Sequence, residues 1–295
     1  MSFVYHYTTL EVLLSMLKNL DRRIPTEESC LSFWASSILS MNDPQEFLYG
    51  YKLLQDTILP EIERKMGIKD NNLKLSRLSK IQNGNDVEAL NKAIIEKLYE
   101  ENSIPYIVSF SENKDFLPMW NAYSCKGRGV CLCFKNNHYL IDGKNVDILN
   151  YLHAKKVTYG EVDGRIKDVV HSLYEKYIEE YKNDRDRIKK MLSYFATLAV
   201  TTSPYHKHKA YEYENEVRLV QFKKSTDNIK YRISKQGRLI PYIEVSVKLK
   251  YLEQIILGPC VDSVSIIREL RHMFDFYRGN EDNFIVPSEV PYREY

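Results

Sequence analysis

In Glu214-Asn215-Glu216-Val217-Arg218 two carboxylates and a guanidinium recur at every second position. On a strand over Glu214 to Leu219 that spacing puts all three on one face, with Val217 and Leu219 on the other. Such a face is either a solvated edge or the wall of a site in which Arg218 holds a carboxylate by a bidentate pair. The second constellation is Tyr5-His6-Tyr7-Thr8. His6 faces away from the rings of Tyr5 and Tyr7, at a strand end just before a helix start, where ligands are often bound. A satisfied, half-buried histidine is the plainer reading. Third, Ser109 and Ser111 share a strand face. Trp120 and Tyr123 follow at i and i+3 on a helix, as an aromatic wall or as core.

Three further groups are weaker. Met41-Asn42-Asp43-Pro44-Gln45-Glu46 has the residues of a turn and helix cap. His206-Lys207-His208-Lys209 reads as a solvated loop, or as a basic contact for phosphate or nucleic acid. Cys131 and Cys133 share a strand face but lack two more ligands nearby, so structural thiols are expected rather than a metal pair. No G-x-S-x-G, H-E-x-x-H or EF-hand loop occurs.

Composition narrows the rest. The chain has 295 residues, 11 of them glycine and 23 tyrosine. Average glycine usage of about 7% would give about 20. Neither G-x-G-x-x-G nor G-x-x-x-x-G-K-[ST] is present, which argues against a Rossmann dinucleotide site and a P-loop. A net charge of +2 gives no global pull toward nucleic acid or membrane. No run of 18 apolar residues occurs, and residues 1–8 lack a basic segment followed by an apolar stretch. Five cysteines without C-x-x-C suggest reduced thiols. The expectation is a cytoplasmic protein without a membrane segment.

The elements that must position these groups follow from periodicity. Strands are predicted at Phe3–Tyr7, Cys30–Ala35, Tyr106–Phe110 and Gly129–Phe134, with a short one around Val157 and Tyr159. Later strands are predicted at Glu216–Phe222, Ile229–Ile233, Leu239–Val247 and Gln254–Leu257. Thr8 or Thr9 can cap a helix carrying Leu10, Leu13, Leu14 and Leu17. Gln45 to Asn102 reads as a helical insertion, Val162 to Thr201 as a long helical region, and Asp262 as the cap of a helix to Phe276. Phe284 to Tyr295 reads as irregular. Strands and helices do not alternate one for one, so the expected fold is α+β, in one elaborated domain with a mixed or antiparallel central sheet.

In chain order, Tyr5-His6-Tyr7-Thr8, Met41-Asn42-Asp43-Pro44 with Glu46, Ser109-Phe110-Ser111, Trp120-x-x-Tyr123 and Gly127-x-Gly129-Val130 come first. Glu214-x-Glu216-x-Arg218-Leu219, Ile256-Leu257-Gly258-Pro259 and Pro291-Tyr292-Arg293 complete the set. The ordered set resembles a bacterial family known mainly as a domain of unknown function. That family is distantly similar to the histidine–tyrosine–glutamate ADP-ribosyltransferases.

The resemblance implies a split, mostly antiparallel sheet that clamps NAD as substrate. It implies that His6 holds a ribose and that Glu216 is the catalytic carboxylate, with Glu214 beside it. Tyr7, Thr8, Ser109, Ser111, Trp120, Tyr123 and Arg218 become candidate NAD contacts. The middle element of the triad falls to Ser109 or Ser111, or an aromatic role falls to Tyr123 or Trp120. The implied acceptor is a nucleic acid or protein, in a toxin or anti-phage effector with a regulatory or antitoxin partner. Two rivals are a non-catalytic nucleic-acid-binding module using His206–Lys209, and a metal-dependent nuclease using Asp43, Glu212, Glu214 and Glu216.

Overall fold

β-Branched and aromatic residues alternate with polar ones through most of the strand segments, and they build one large sheet. The computed structural model describes residues 3–18, 29–40, 46–66, 104–135, 155–168, 172, 198, 201–223, 228–234, 237–275 and 277–292. Its strands are β1 (Phe3–Thr8), β2 (Cys30–Ser37), β3 (Ile104–Ser111), β4 (Val130–Lys135), β5 (Lys155–Lys156), β6 (Thr158–Tyr159) and β7 (His206–Lys207). They continue with β8 (Glu216–Lys223), β9 (Lys230–Ile233), β10 (Leu239–Lys248), β11 (Leu252–Leu257) and β12 (Ile285–Pro287). The helices are α1 (Leu10–Met16), α2 (Glu46–Met66), α3 (Leu117–Tyr123) and α4 (Ser263–Met273).

Sheet order is β12-β11-β4-β1-β3-β2-β10-β9, with β8 on β3 and β5 on β8; β6 and β7 form a separate parallel pair. Within the large sheet β11 and β12 run parallel and the other pairs antiparallel. The fold is therefore α+β with a mixed, mostly antiparallel central sheet.

β3 organises the molecule. One edge pairs with β8 along its whole length, from Ile104 opposite Lys223 to Ser111 opposite Glu216. Its other edge changes neighbour: Tyr106 and Ile107 pair with β2, and Ser111 pairs with Tyr5 of β1. Between these bridges Val108, Ser109 and Phe110 face a gap in the sheet. The main core, with Val4, Phe33, Phe110, Phe134, Val217 and Leu219, lies on one side. Tyr5, Tyr7, Trp120, Cys131 and Cys133 pack together on the other.

Local devices hold the strand ends. Thr9 is the N-cap of α1, its hydroxyl accepting from Val12 N at 3.2 Å. Gly129 allows β4 to pass Thr8, whose carbonyl oxygen a Cβ there would strike. Gly127 turns with a positive φ of 81°. Asp262 caps α4 by position, but its side chain makes no cap bond and instead accepts from Ser265.

Several expectations shift. Glu214 belongs to a 3₁₀ turn (Lys209–Glu214), not to the strand, and left-handed Asn215 (φ 42°) joins the turn to β8. β7 and β12 go unread in the sequence because two or three residues carry no period. α2 packs Phe47, Leu54 and Ile58 inward. The remainder of the proposed helical insertion, most of residues 162–201, and Met41–Gln45 lie outside the described residues. No helix among those described is long and apolar enough to cross a membrane.

Candidate functional site

The gap beside β3 opens into a cavity of about 440 Å³, within the size range of small-molecule sites. His6 and Ser109 line it from the split in the sheet, and Glu214 and Glu216 line it from the start of β8. Tyr7, Thr8 and Tyr123 add to the wall, with Lys207 and Glu46 beyond the carboxylates. His6 reaches it from an unexpected side. Tyr5, Ser111 and Glu216 stand opposite one another across β1, β3 and β8, so they share a sheet face. His6, one residue on, belongs to the other face, where it meets the rings of Phe33 and Phe110 at 5.0 and 5.6 Å. The break between β1 and β3 lets it border the same cavity. Its Nδ1 donates to Ser109 O at 2.9 Å. Burial lowers its pKa, against the opposing effect of that bond. The ring is therefore neutral at pH 7 with Nε2 as the acceptor nitrogen.

The carboxylates are clamped. Arg218 grips Glu216 with both arms of its fork, Nε to Oε1 and Nη2 to Oε2, each at 2.8 Å. Its remaining donors reach Pro204 O at 2.6 Å and Glu46 Oε1. Lys207 Nζ bridges Glu214 Oε2 at 2.6 Å and Glu216 Oε2 at 3.1 Å. The ring of Tyr211 lies 4.7 Å from the same ammonium. Tyr123 donates to Glu214 Oε1 at 2.9 Å. Tyr159 accepts from the Glu216 backbone N–H at 2.8 Å, fixing the first residue of β8.

Burial alone would raise the pKa of Glu216, but Arg218 and Lys207 outweigh it and hold it down at about 2. Ser109 also favours the ionised form, although its buried hydroxyl makes no well-formed hydrogen bond. Burial likewise works against the charged form of Lys207, and Glu216 and Glu46 more than restore it. The Tyr123 hydroxyl is pushed well up by burial and by the nearby carboxylates, so it remains a donor. Among the described residues three carboxylates against two cations leave one negative charge in excess. A group carrying positive charge is favoured there.

Four of the sequence candidates commit polar groups to protein partners. Arg218 is fully buried and outside the cavity wall, with its donors consumed by protein. It positions Glu216. Trp120 is also fully buried, its indole N–H donating to Asp115 at 2.8 Å. Asp115 in turn accepts from Ser288 and Glu289 N, so this indole anchors the later chain. Ser111 donates to Glu214 O at 2.6 Å and accepts from Asn113 N, holding the turn before β8. The Tyr7 hydroxyl is used by Asn113 O and Phe116 N, which leaves only its ring for the cavity.

The basic stretch is not a surface patch. His206 is buried, with Nδ1 donating to Thr202 O and Nε2 accepting from Asp163 N. Lys207 is 5% exposed, and only His208 and Lys209 of the four are open to solvent. No cluster of metal-binding type is formed among the described residues, and Asp43 lies outside them. Glu214 and Glu216 are neutralised by Lys207 and Arg218, and Glu212 is exposed. Glu46 and Lys207 are site members that motif reading placed in a helix cap and in a solvated or basic loop. The only signal was the charge type of each.

Residues 119–219 match a family described as "Protein of unknown function (DUF2971)". That span covers Trp120, Tyr123, Lys207, Glu214, Glu216 and Arg218. No curated protein and no solved structure matches the chain.

Proposed function

We propose that this protein is an ADP-ribosyltransferase-like enzyme that cleaves the nicotinamide–ribose bond of NAD and passes ADP-ribose to a nucleic-acid or protein acceptor. The observation that carries this reading is that His6, Glu214 and Glu216 border one cavity despite coming from three separate elements. The chemistry breaks the C1′–N bond with its electron pair leaving on nicotinamide, which becomes neutral. The ribose then carries an oxocarbenium-like positive charge, as in glycoside cleavage.

An ionised carboxylate held in advance at that position stabilises the charge without reorganising during the reaction. Glu216 is suited to this because Arg218 and Lys207 fix both of its oxygens. The excess negative charge of the cluster acts in the same direction. His6 Nε2 accepts from a ribose hydroxyl. Glu214 lies beside the reacting carbon and takes the proton of the incoming nucleophile, whose oxygen or nitrogen forms the new bond to C1′. The rings of Tyr7 and Tyr123 supply stacking surface. Ser109 brings a hydroxyl that has no good partner in the protein.

Incubation of pure protein with nicotinamide-labelled NAD tests the reading. The expected result is nicotinamide release that Glu216→Gln slows by about 10²- to 10³-fold. Absence of release with nucleic acids and proteins offered as acceptors would sink it.

A further inference from the structure

The far end of the same cavity holds a cation without a counter-charge among the described residues. Arg232 of β9 lines the wall together with Trp34, Ser36, Ser40 and Ile240. Its Nη2 donates to Ser36 Oγ at 3.0 Å, while its Nε is buried without a hydrogen bond. No carboxylate among the described residues reaches it. The enclosed cations Arg218 and Lys207 each meet two carboxylates at close range. A guanidinium has five N–H donors, and one neutral hydroxyl occupies only one of them. Burial lowers the Arg232 pKa with only Tyr242 opposing, so here no acid repays the cost of enclosure.

Register puts this cation and the carboxylates on one sheet face. Arg232 stands opposite Ile240, Tyr242 opposite Ser36, Ser36 opposite Ile107, and Ile107 opposite Val220, four residues along β8 from Glu216. Two strand spacings across and four residues along separate the Ser36 and Glu216 backbones by roughly 15 Å. The cavity is thus acidic at one end and basic at the other. Between the ends Trp34 is braced by Tyr242 at a ring distance of 4.8 Å, which offers a fixed aromatic surface. A ligand that fits such a wall is elongated, bears an anion at one end, and carries rings.

We propose that Arg232 is an anion-recognition residue of this cavity and binds a phosphate group of a nucleotide ligand through the Nη end of its guanidinium. The assignment rests on the NAD reading above and extends it to the phosphate end of the substrate. It does not depend on cleavage.

Calorimetric titration with ADP, adenosine and inorganic pyrophosphate tests it on the wild type, Arg232→Met and Arg232→Lys. ADP is expected to bind the wild type and to lose at least tenfold in affinity in Arg232→Met, with partial recovery in Arg232→Lys. Adenosine is expected to bind all three alike. Unchanged ADP affinity in Arg232→Met overturns the assignment. So does an equal loss for adenosine, failure of ADP to bind the wild type, or pyrophosphate binding as tightly as ADP. Should Arg232→Met fail to fold, Arg232→Lys and Ser36→Ala carry the comparison, and both are expected to bind ADP more weakly than the wild type. The two readings separate cleanly. ADP binding that depends on Arg232, with no nicotinamide release from NAD, leaves the phosphate site standing and sinks the cleavage. Nicotinamide release at unchanged KM and unchanged ADP affinity in Arg232→Met does the reverse.

Discussion

Arg218 and Arg232 occupy the same face of one sheet and have opposite lives. Arg218 is wholly buried, and its fork is spent on Glu216, Glu46 and the Pro204 carbonyl. Arg232 is partly enclosed at the wall of the cavity, and among the described residues a serine hydroxyl is its one hydrogen-bond partner. A buried charge whose partners are all internal is part of the scaffold, and removing it strands the groups it neutralises. A charge enclosed without partners lowers stability while the cavity is empty, and gains from whatever anion enters. The first arginine builds the site and the second is positioned to read a ligand.

That contrast can be broken by measurement. The largest effect is expected from Arg218→Met, which leaves Glu216 and Glu46 buried without their cation and should cost about 3 to 5 kcal/mol in denaturant unfolding. A loss of less than about 1 kcal/mol would erase the distinction, since that is the scale of an exposed ion pair. Next is Glu216→Gln, which should slow nicotinamide release by about 10²- to 10³-fold, on the scale of other groups aimed at a developing charge. Circular dichroism would check that the fold survives, and a rate within a few-fold of wild type would remove Glu216 from the chemistry.

Acid sensitivity sharpens the same comparison. Glu216 has its folded pKa depressed to about 2 from an ordinary 4.5. The stability it contributes is therefore fully present above about pH 4.5 and is lost as pH falls toward 2. Unfolding midpoints followed down the acid range should fall less steeply in Glu216→Gln than in the wild type. Parallel curves would mean that the carboxylate is not held as described. Tyr123→Phe removes one hydrogen bond to Glu214 and should cost about 1 kcal/mol. The smallest effect is expected from Arg232→Met in ligand-free protein. Its unfolding midpoint should match or slightly exceed the wild type, within about 1 kcal/mol, because among the described residues the charge removed leaves no carboxylate stranded.

Much of the architecture was legible because it is local. Period-two alternation placed β1, β2, β3, β4, β8 and β10 within a few residues of their observed bounds. Thr9 was one of two cap candidates, and the hydrogen bond to Val12 N selects it. The proximity of Glu216 to Arg218 also follows from alternation. Other features escaped for equally local reasons. Glu214 was read onto the strand, yet left-handed Asn215 breaks the backbone before β8, and the Ser111 bond to Glu214 O holds the turn that keeps its carboxylate beside Glu216. Lys207 sits in a His-Lys-His-Lys run that has the composition of solvated loop, and its partners are recognisable only once the 3₁₀ turn folds back on β7. Helical spacing pairs Trp120 with Tyr123 and left cavity wall or core open for it. The helix instead turns the indole toward Asp115 and the tyrosine toward Glu214.

By itself the sequence determined which groups share a strand face, that α1 starts at one of two threonines, and that any nucleotide here is held without a glycine cradle. These depend on backbone periodicity and composition, which act over a few residues. Only the tertiary structure decided that Glu46 meets Arg218 across 172 positions, that Lys207 is a counter-ion, and that His6 borders the cavity from the opposite sheet face. The last of these depends on where β3 exchanges one neighbouring strand for another. That exchange is set by competition among long-range pairings, which no local pattern encodes.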